Sequence, residues 1–239
     1  MFDGINRIGR KIWKNRRDFR SILKSLYFNF HYLPFKQACH LPILFYKPTF
    51  KELKGRVTLL GGAKYGMVRL GFPTVSIYPN NGIMFENRGG LLQFNGFCDI
   101  GNNSFISIGK KGRCELGNRF VATASWRLIC FHNIQIDECC CFGWDCMVMD
   151  TDFHKLQKQT GGFTKGYSKI VLGKNNWFGN GCLVMKKSVT PDYCVISARS
   201  ILSEKLNIPP YSVVGQKREV EIRVSGMWRN FDDDKISYV

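Results

Sequence analysis

The sequence has little negative charge and no long apolar run. Its 18 acidic residues stand against 35 lysines and arginines, so the formal net charge is +17 at pH 7. No apolar stretch approaches the roughly 20 residues that span a bilayer, and the 24 glycines do not follow the every-third-residue spacing of collagen. With 44% hydrophobic residues in 239, the sequence predicts a globular protein, neither disordered, nor collagen-like, nor spanning a membrane by helices.

The first twenty residues are rich in lysine and arginine and lack the continuous apolar core of a secretory signal peptide. The ten cysteines are spread along the chain, and three of them are consecutive at 139–141, which suits no small disulfide scaffold. We therefore expect reduced, mostly buried thiols and a cytoplasmic protein, with peripheral contact on the inner membrane face as an added expectation.

Residues 1–50 form a basic amphipathic helical segment in our interpretation. Apolar residues recur there at spacings of three to four and alternate with basic ones: Ile5, Ile8, Ile12, Phe19, Ile22 and Leu26. Two interpretations stay open, a cap packed on the main domain and a helix lying on an anionic membrane surface.

A period of six residues dominates the second half of the chain. Its members are Leu172, Phe178, Val184, Thr190, Ile196, Leu202, Ile208 and Val214. An α-helix cannot use this period, because six residues advance it by about 600° and scatter the side chains around its axis. A parallel β-helix can, because each hexad forms one short strand and one turn.

The same period extends backward with slips of register. Cys130, Ile136, Phe142 and Val148 are again six apart, and an earlier run begins at Phe94. The polar interval 149–169 carries no inward apolar series, so we predict a loop thrown out of the coil, and long loops on rigid scaffolds often carry function. The predicted organisation is a β-helix domain over 51–218 and a C-terminal tail over 219–239.

Residues 94–217 resemble the hexapeptide-repeat acyltransferases, especially sugar and polysaccharide O-acetyltransferases related to maltose and xenobiotic acetyltransferases. The motifs that carry the resemblance are LGKNNWFGNG at 172–181, ARSILS at 198–203 and IPPYSVVG at 208–215. A weaker likeness, SLYFNFHYLPFK at 25–36, is to the leader of capsule-type acetyltransferases. The resemblance implies a left-handed parallel β-helix shaped as a triangular prism, a homotrimer with active sites between subunits, acetyl-CoA as donor and a saccharide acceptor.

A base is needed for acetyl transfer to a sugar hydroxyl, because an unassisted alcohol is a poor nucleophile at neutral pH. His154, in the sequence MDTDFH at 149–154, is similar to the family's catalytic histidine, which occupies such a loop. Asp152 or Asp150 is expected to orient its imidazole. The plainer alternative is a solvated histidine in an acidic loop.

The resemblance places the donor beside Trp177, Gly179, Asn180 and Ala198. Arg199 and Lys217 are expected to meet its phosphates, because anions need positive partners. Packing of Trp177 across a subunit interface is an equal alternative for that residue. Backbone N–H groups of Gly179, Asn180 and Gly181 are candidate donors to the developing oxyanion. This chain departs from the relatives at two points. It has Ala198-Arg199-Ser200 where they have Ala-Gly-Ser, and Gln216-Lys217-Arg218 after Gly215 where they have a Gly-x-Pro-Ala ending.

Other functions fit the sequence less well. Cys141, Cys146 and His132 could be imagined as zinc ligands, but packed thiols are favoured, so we predict no metal. Nucleic-acid binding is disfavoured, because the charge is concentrated near the N-terminus without a recognised stacking platform. A sugar N-acetyltransferase and a noncatalytic β-helix binding protein stay as alternatives to the O-acetyltransferase.

Overall fold

In the part of the chain that the structure describes, two helices precede the strands. The structure, a computed structural model, describes residues 16–215 and 227–229. Helix α1 spans Arg16–Tyr32, and the short α2 spans Phe35–Ala38 after Pro34, whose fixed backbone angle suits the residue before a helix. Within these residues, no helix has both the length and the apolarity needed to cross a membrane. The predicted basic residues before position 16 lie outside the described part of the chain.

Two parallel sheets carry most of the described chain. The first contains β1 (Ile43–Phe45), β3 (Val68–Phe72), β5 (Cys98–Gly101), β8 (Phe120–Ala122), β11 (Cys141–Phe142), β15 (Trp177–Phe178), β18 (Val195–Ile196) and β20 (Val213–Val214). The second contains β2 (Pro48–Leu59), β4 (Ile83–Phe94), β6 (Ser104–Ile108), β7 (Arg113–Leu116), β9 (Arg127–Cys130), β10 (Asn133–Ile136), β12 (Met147–Met149), β14 (Ile170–Leu172), β16 (Leu183–Met185), β17 (Val189–Thr190) and β19 (Ile201–Leu202). A separate antiparallel pair joins β13 (Leu156–Lys158) to β21 (Met227–Arg229).

The second sheet is two rows of strands joined through β4. Residues 83–87 of β4 pair with β6, whereas residues 91–94 pair with β7. Glycines at 89 and 90 lie between these halves, and a side chain at Gly90 would come 2.4 Å from the carbonyl oxygen of Gly112. The chain therefore passes through three rows of strands in succession, and we call one such passage a coil.

Successive coils pair in parallel, and their length varies. Phe178 pairs with Ile196 and Ile196 with Val214, each eighteen residues on. Earlier coils are longer, because Ile100 pairs with Ala122 and Ala122 with Phe142, separations of twenty-two and twenty residues. Extra residues in the turns of the early coils produce the register slips seen in the sequence.

The hexad positions form the core. Six of the eight later members are buried, and Ile208 and Val214 pack partly buried against them. Inside the coil, the rings of Phe142 and Phe178 stack with centroids 4.2 Å apart. The mostly β architecture with parallel sheets is confirmed. The first strand already begins at Ile43, so the sheets start before the predicted boundary at residue 51.

One face of α1 covers the free edge of β1. The backbone N–H groups of Ile43, Phe45 and Lys47 donate to Asn29 Oδ1, Ser25 Oγ and Ser21 Oγ at 3.1, 2.8 and 2.9 Å. Four helical residues rise about 6 Å and two strand residues about 6.6 Å, so the two spacings match. This face of the helix is a cap that satisfies an edge strand.

Candidate functional site

The predicted loop leaves the sheet at Asp150, whose side chain is fully buried. Its carboxylate oxygens accept hydrogen bonds from the backbone N–H groups of Phe131 and His132, both at 2.8 Å. Burial raises the pKa of Asp150, although these two donors act in the opposite sense. These hydrogen bonds connect the base of the loop to the preceding coil. Asp150 therefore has a structural role, which differs from the predicted role of orienting His154.

The two sides of the loop are hydrogen-bonded to each other near their base. The Asp152 N–H donates to the Gly166 carbonyl at 2.8 Å, and the Ser168 N–H donates to the Asp150 carbonyl at 3.0 Å. Farther out, β13 pairs with β21 from the predicted tail. The interval 149–169 is thus an excursion with its own pairing, and a segment of the tail lies against it.

His154 is half-buried in this excursion, directly after a turn. Phe153 has φ +59°, and its N–H donates to Thr151 Oγ1 at 3.0 Å. Asp152 forms an ion pair with Lys186, which follows β16 on the next coil. The loop is therefore attached to the coils on both sides of it, and the orientation of His154 by Asp152 stays a prediction.

A cavity of about 470 Å³ opens on the first sheet, and we call it the sheet groove. Trp177, Gly179, Asn180 and Ala198, four of the six residues expected to bind the donor, all line it. They come from consecutive coils that pair in register, and the Trp177 side chain is 55% exposed. The structure therefore brings most of the predicted donor-binding set together.

Close stacking of backbone forms the floor of the sheet groove. A side chain at Gly179 would lie 2.6 Å from the backbone nitrogen of Ala198, so only glycine permits this approach. The Gly179 N–H donates to the Ile196 carbonyl at 2.8 Å and the Gly181 N–H to the Trp144 carbonyl at 2.8 Å. These two amides are engaged in the fold, which leaves Asn180 as the remaining candidate oxyanion donor of the three.

Arg199, the other described residue of the donor-binding set, does not line the sheet groove. Arg199 follows Ala198 in an exposed turn with φ +59°, and its N–H donates to the Asn180 carbonyl at 2.8 Å. Lys217 lies outside the described residues. Neither His154 nor Asp152 lines the groove, so the predicted base and the predicted donor site do not share a cavity within one chain.

A second cavity, of about 600 Å³, lies between the loop and the adjoining turns, and we call it the corner cavity. One part of its lining is aromatic: Phe131, His132, Phe153 and Tyr167. Another part is basic: Lys54, Arg88, Lys110 and Lys111. These residues were not predicted to form a site, because the sequence does not show that the coil before the loop has twenty residues, the length that brings His132 to the base of the loop.

Among the described residues, no three or more His, Cys, Asp or Glu side chains are grouped to hold a metal ion. Cys146 is fully buried and its thiol donates to the Gly179 carbonyl at 3.1 Å. Burial raises the pKa of the Cys141 thiol, which disfavours the thiolate that zinc requires. Cys146 is part of the hydrophobic core, whereas Cys141 lines the sheet groove.

Comparison of the chain with protein-family models, with curated proteins and with solved structures found no match.

Proposed function

We propose that this protein is an O-acetyltransferase that moves an acetyl group from acetyl-CoA to a saccharide hydroxyl. The observation that carries the proposal is the convergence of Trp177, Gly179, Asn180 and Ala198 on the sheet groove. The sequence resembles a donor site at the same four positions. An apolar groove with a few polar groups is suited to the extended arm of coenzyme A.

The proposal includes the finer architecture, a left-handed parallel β-helix in which the three rows of strands are the faces of a triangular prism. Its support is the eighteen-residue pairing of the later coils, three hexads per coil. It also includes a trimer, in which the loop of one chain meets the sheet groove of its neighbour. This arrangement would unite His154 with the donor, which one chain does not do.

In the proposed reaction, the His154 imidazole accepts the proton of the acceptor hydroxyl as its oxygen attacks the thioester carbonyl carbon. The tetrahedral intermediate collapses with cleavage of the carbon–sulfur bond. The thiolate of coenzyme A leaves and takes the proton from the imidazolium. No covalent enzyme intermediate is required, and the backbone N–H of Asn180 is the candidate donor to the oxyanion.

The test is release of coenzyme A from acetyl-CoA in the presence of a panel of saccharides, measured by chromatography. Chromatography is preferred to a thiol reagent, because the chain carries ten free cysteines and Cys39 is exposed. His154→Ala should lower kcat by about 10²–10⁴-fold, the usual contribution of a positioned base. The matched control is His40→Ala, since His40 is an exposed histidine that hydrogen-bonds only within its own short segment at the Lys36 carbonyl.

Near-normal turnover in His154→Ala would remove His154 from the mechanism. Absence of both acetyl-CoA binding and coenzyme A release with every saccharide would overturn the enzyme proposal and favour a noncatalytic binding protein. Acetylation of an amino sugar at nitrogen, identified by NMR of the product, would replace the O-acetyltransferase with the N-acetyltransferase.

A further inference from the structure

The corner cavity has four basic residues in its lining, Lys54, Arg88, Lys110 and Lys111. Lys54 and Arg88 are direct register partners on neighbouring parallel strands, a pairing of like charges that is unfavourable on its own. Lys110 and Lys111 come from the turn stacked on the next coil. The cavity therefore presents cations from three successive turns to one space.

Stacked glycine turns hold these cations close together. A side chain at Gly55 would lie 2.4 Å from the Gly90 carbonyl oxygen, and one at Gly90 would lie 2.4 Å from the Gly112 carbonyl oxygen. The three turns thus approach more closely than side chains at these positions would allow. Cations fixed on rigid, closely stacked backbone are a preorganised arrangement for an anion.

Two carboxylates accompany these basic side chains. Glu52 pairs with Lys54 at 3.1 Å and Glu86 pairs with Arg88 at 3.0 Å. Among the residues that line the cavity, four are basic and one, Glu52, is acidic, so the formal charge of the lining is positive. A phosphate ester or a diphosphate supplies a matching negative charge with several acceptor oxygens.

The rest of the lining is largely aromatic and belongs partly to the loop. Phe131 and Phe153 meet edge to face with centroids 4.8 Å apart, and the rings of His132 and Tyr167 are 4.7 Å apart. Rings of this kind pack against the apolar faces of sugars, while the polar groups around them set orientation. Phe153 directly precedes His154, so a sugar bound here lies beside the segment that carries the proposed base.

We infer that the corner cavity binds a saccharide acceptor that carries a phosphate or diphosphate, with the phosphate at the basic side chains and the sugar against the aromatic ones. The inference rests on the proposed function and names its substrate class. The same chemistry is found in a nucleoside-diphosphate sugar and in a sugar linked through diphosphate to a lipid carrier, so the experiment includes both.

The first experiment measures binding to the full chain by calorimetry with glucose, glucose 1-phosphate, UDP-glucose and inorganic pyrophosphate. We expect the phosphorylated ligands to bind more tightly than glucose and to weaken as salt is raised. Arg88→Gln and Lys110→Gln should each weaken binding of UDP-glucose by about 10-fold, in line with the loss of one charge-assisted hydrogen bond. Lys36→Gln, an exposed lysine outside the cavity, is the matched control and should change binding less than twofold.

The Arg88 side chain is 50% exposed, so its replacement should leave the fold intact, and a thermal melt of each variant verifies this. Equal binding of glucose and glucose 1-phosphate would overturn the inference. So would UDP-glucose binding that Arg88→Gln and Lys110→Gln leave unchanged.

The second experiment measures acetyl transfer to glucose, to UDP-glucose and to a glucose diphosphate lipid in detergent micelles. The inference is supported if one phosphorylated acceptor is preferred and if Arg88→Gln removes that preference by raising its KM. The preferred acceptor then shows whether the phosphate belongs to a nucleoside-diphosphate sugar or to a lipid-linked sugar. Transfer to free glucose that Arg88→Gln does not alter would leave the proposed function standing and overturn the inference. Binding of UDP-glucose that Arg88→Gln and Lys110→Gln weaken, without acetyl transfer to any acceptor, would overturn the proposed function. The inference that the corner cavity binds a phosphorylated saccharide would then stand.

Discussion

At the scale of single residues, Arg199 occupies a turn position that the preceding coil fills with a glycine. Gly181 has φ +69° and Arg199, eighteen residues later, has φ +59°. A left-handed conformation costs a residue with a side chain roughly 1–2 kcal/mol. The same conformation recurs at other turns, for example at Arg119 and Asn175, so the proposed contact of Arg199 with the donor phosphates rests on its charge and on its place next to Ala198.

We predict that Arg199→Gly raises the free energy of unfolding by about 1 kcal/mol and raises the KM for acetyl-CoA. Urea titration and steady-state kinetics measure the two effects. Arg119→Gly is the control, because Arg119 is an exposed arginine with the same φ of +59° in a different turn, and it should show only the gain in stability. An unchanged KM in Arg199→Gly would separate Arg199 from the donor.

A second prediction concerns the pH dependence of stability. Burial raises the pKa of Asp150 above the unfolded value of about 3.9. The folded state then binds more protons than the unfolded state between these two pKa values. The Asp150 contribution to the free energy of unfolding should therefore fall as pH rises from about 4 through the raised pKa. Urea titrations at several pH values should show this slope in the natural chain and not in Asp150→Asn.

Asp150→Asn should also lower stability by about 1–3 kcal/mol near pH 7, since an amide group accepts through one oxygen only and leaves one of the two backbone N–H groups unpaired. Asp137→Asn, in an exposed turn, is the control and should alter neither quantity appreciably. A parallel pH dependence of the natural chain and Asp150→Asn would contradict the buried-carboxylate argument.

At the scale of elements, α1 acts on the edge of β1 through side chains four residues apart. Asn29 contributes most, because its Oδ1 accepts from the Ile43 N–H while its Nδ2 donates to the Ser25 and Ile43 carbonyls, each at 2.7 Å. Asn29→Leu leaves buried backbone groups unpaired. We predict a loss of about 1–3 kcal/mol in the free energy of unfolding, measured by urea titration.

Leu23→Ala is the comparison for this prediction, since Leu23 lies on the other face of the same helix and is 49% exposed. Its effect should stay within about 0.5 kcal/mol. Equal losses in Asn29→Leu and Leu23→Ala would mean that helix content alone, and not the cap on β1, sets the stability.

The outer face of α1 bears on the membrane interpretation. Ile22, Leu23, Leu26, Tyr27 and Phe30 are all exposed there, while the opposite face is the cap. The two interpretations left open by the sequence are therefore compatible, because they use different faces. Lys24 is directed to the fold, with its ammonium donating to the Pro48 carbonyl at 2.7 Å, so it adds less to a membrane surface than the sequence suggested.

We predict that the full chain co-sediments with anionic vesicles at low salt and is released at high salt, because basic residues near such a surface each contribute about 1 kcal/mol. The double variant Ile22→Ser, Leu26→Ser should bind more weakly. Tyr211→Ser is the control, since Tyr211 is 77% exposed on a turn of the coils. Equal binding to neutral and anionic vesicles, or none at low salt, would contradict the prediction.

At the scale of the whole molecule, exposed apolar side chains lie on the first sheet and the loop. Trp177, Val213 and Phe163 are 55%, 73% and 43% exposed. Apolar patches of this kind mark association surfaces, and the sheet groove lacks the proposed base within one chain. Both observations favour assembly of several copies.

We predict a trimer, so multi-angle light scattering should report three times the 27.5 kDa chain mass. Val213→Glu should dissociate it, because a charge would be buried at the interface. Tyr65→Glu serves as the control, since Tyr65 is 74% exposed at a distant point of the sequence before the regular repeats. A stable monomer of the natural chain at micromolar concentration would exclude the shared site.

The inward-facing residues were predictable from the sequence because burial of every sixth side chain is a local, periodic property. Leu172, Phe178 and Val184 are all fully buried, as the period required. The loop position was also predictable, since the interval 149–169 breaks the apolar series. The grouping of Trp177 with Ala198 required only the regular coils, whose length the repeat itself specifies.

Only the tertiary structure shows which turns lie side by side, and therefore which residues of different turns are in contact. The coil of twenty residues before the loop brings His132 to the base of the loop, a separation of thirty-four residues places Lys54 beside Arg88, and no period in the sequence predicts those lengths. The cap of α1 on β1 is likewise a contact between distant segments. Local periodicity thus determined which side chains face inward, whereas the variable turn lengths, through the stacking they allow, determined which residues meet at the two cavities.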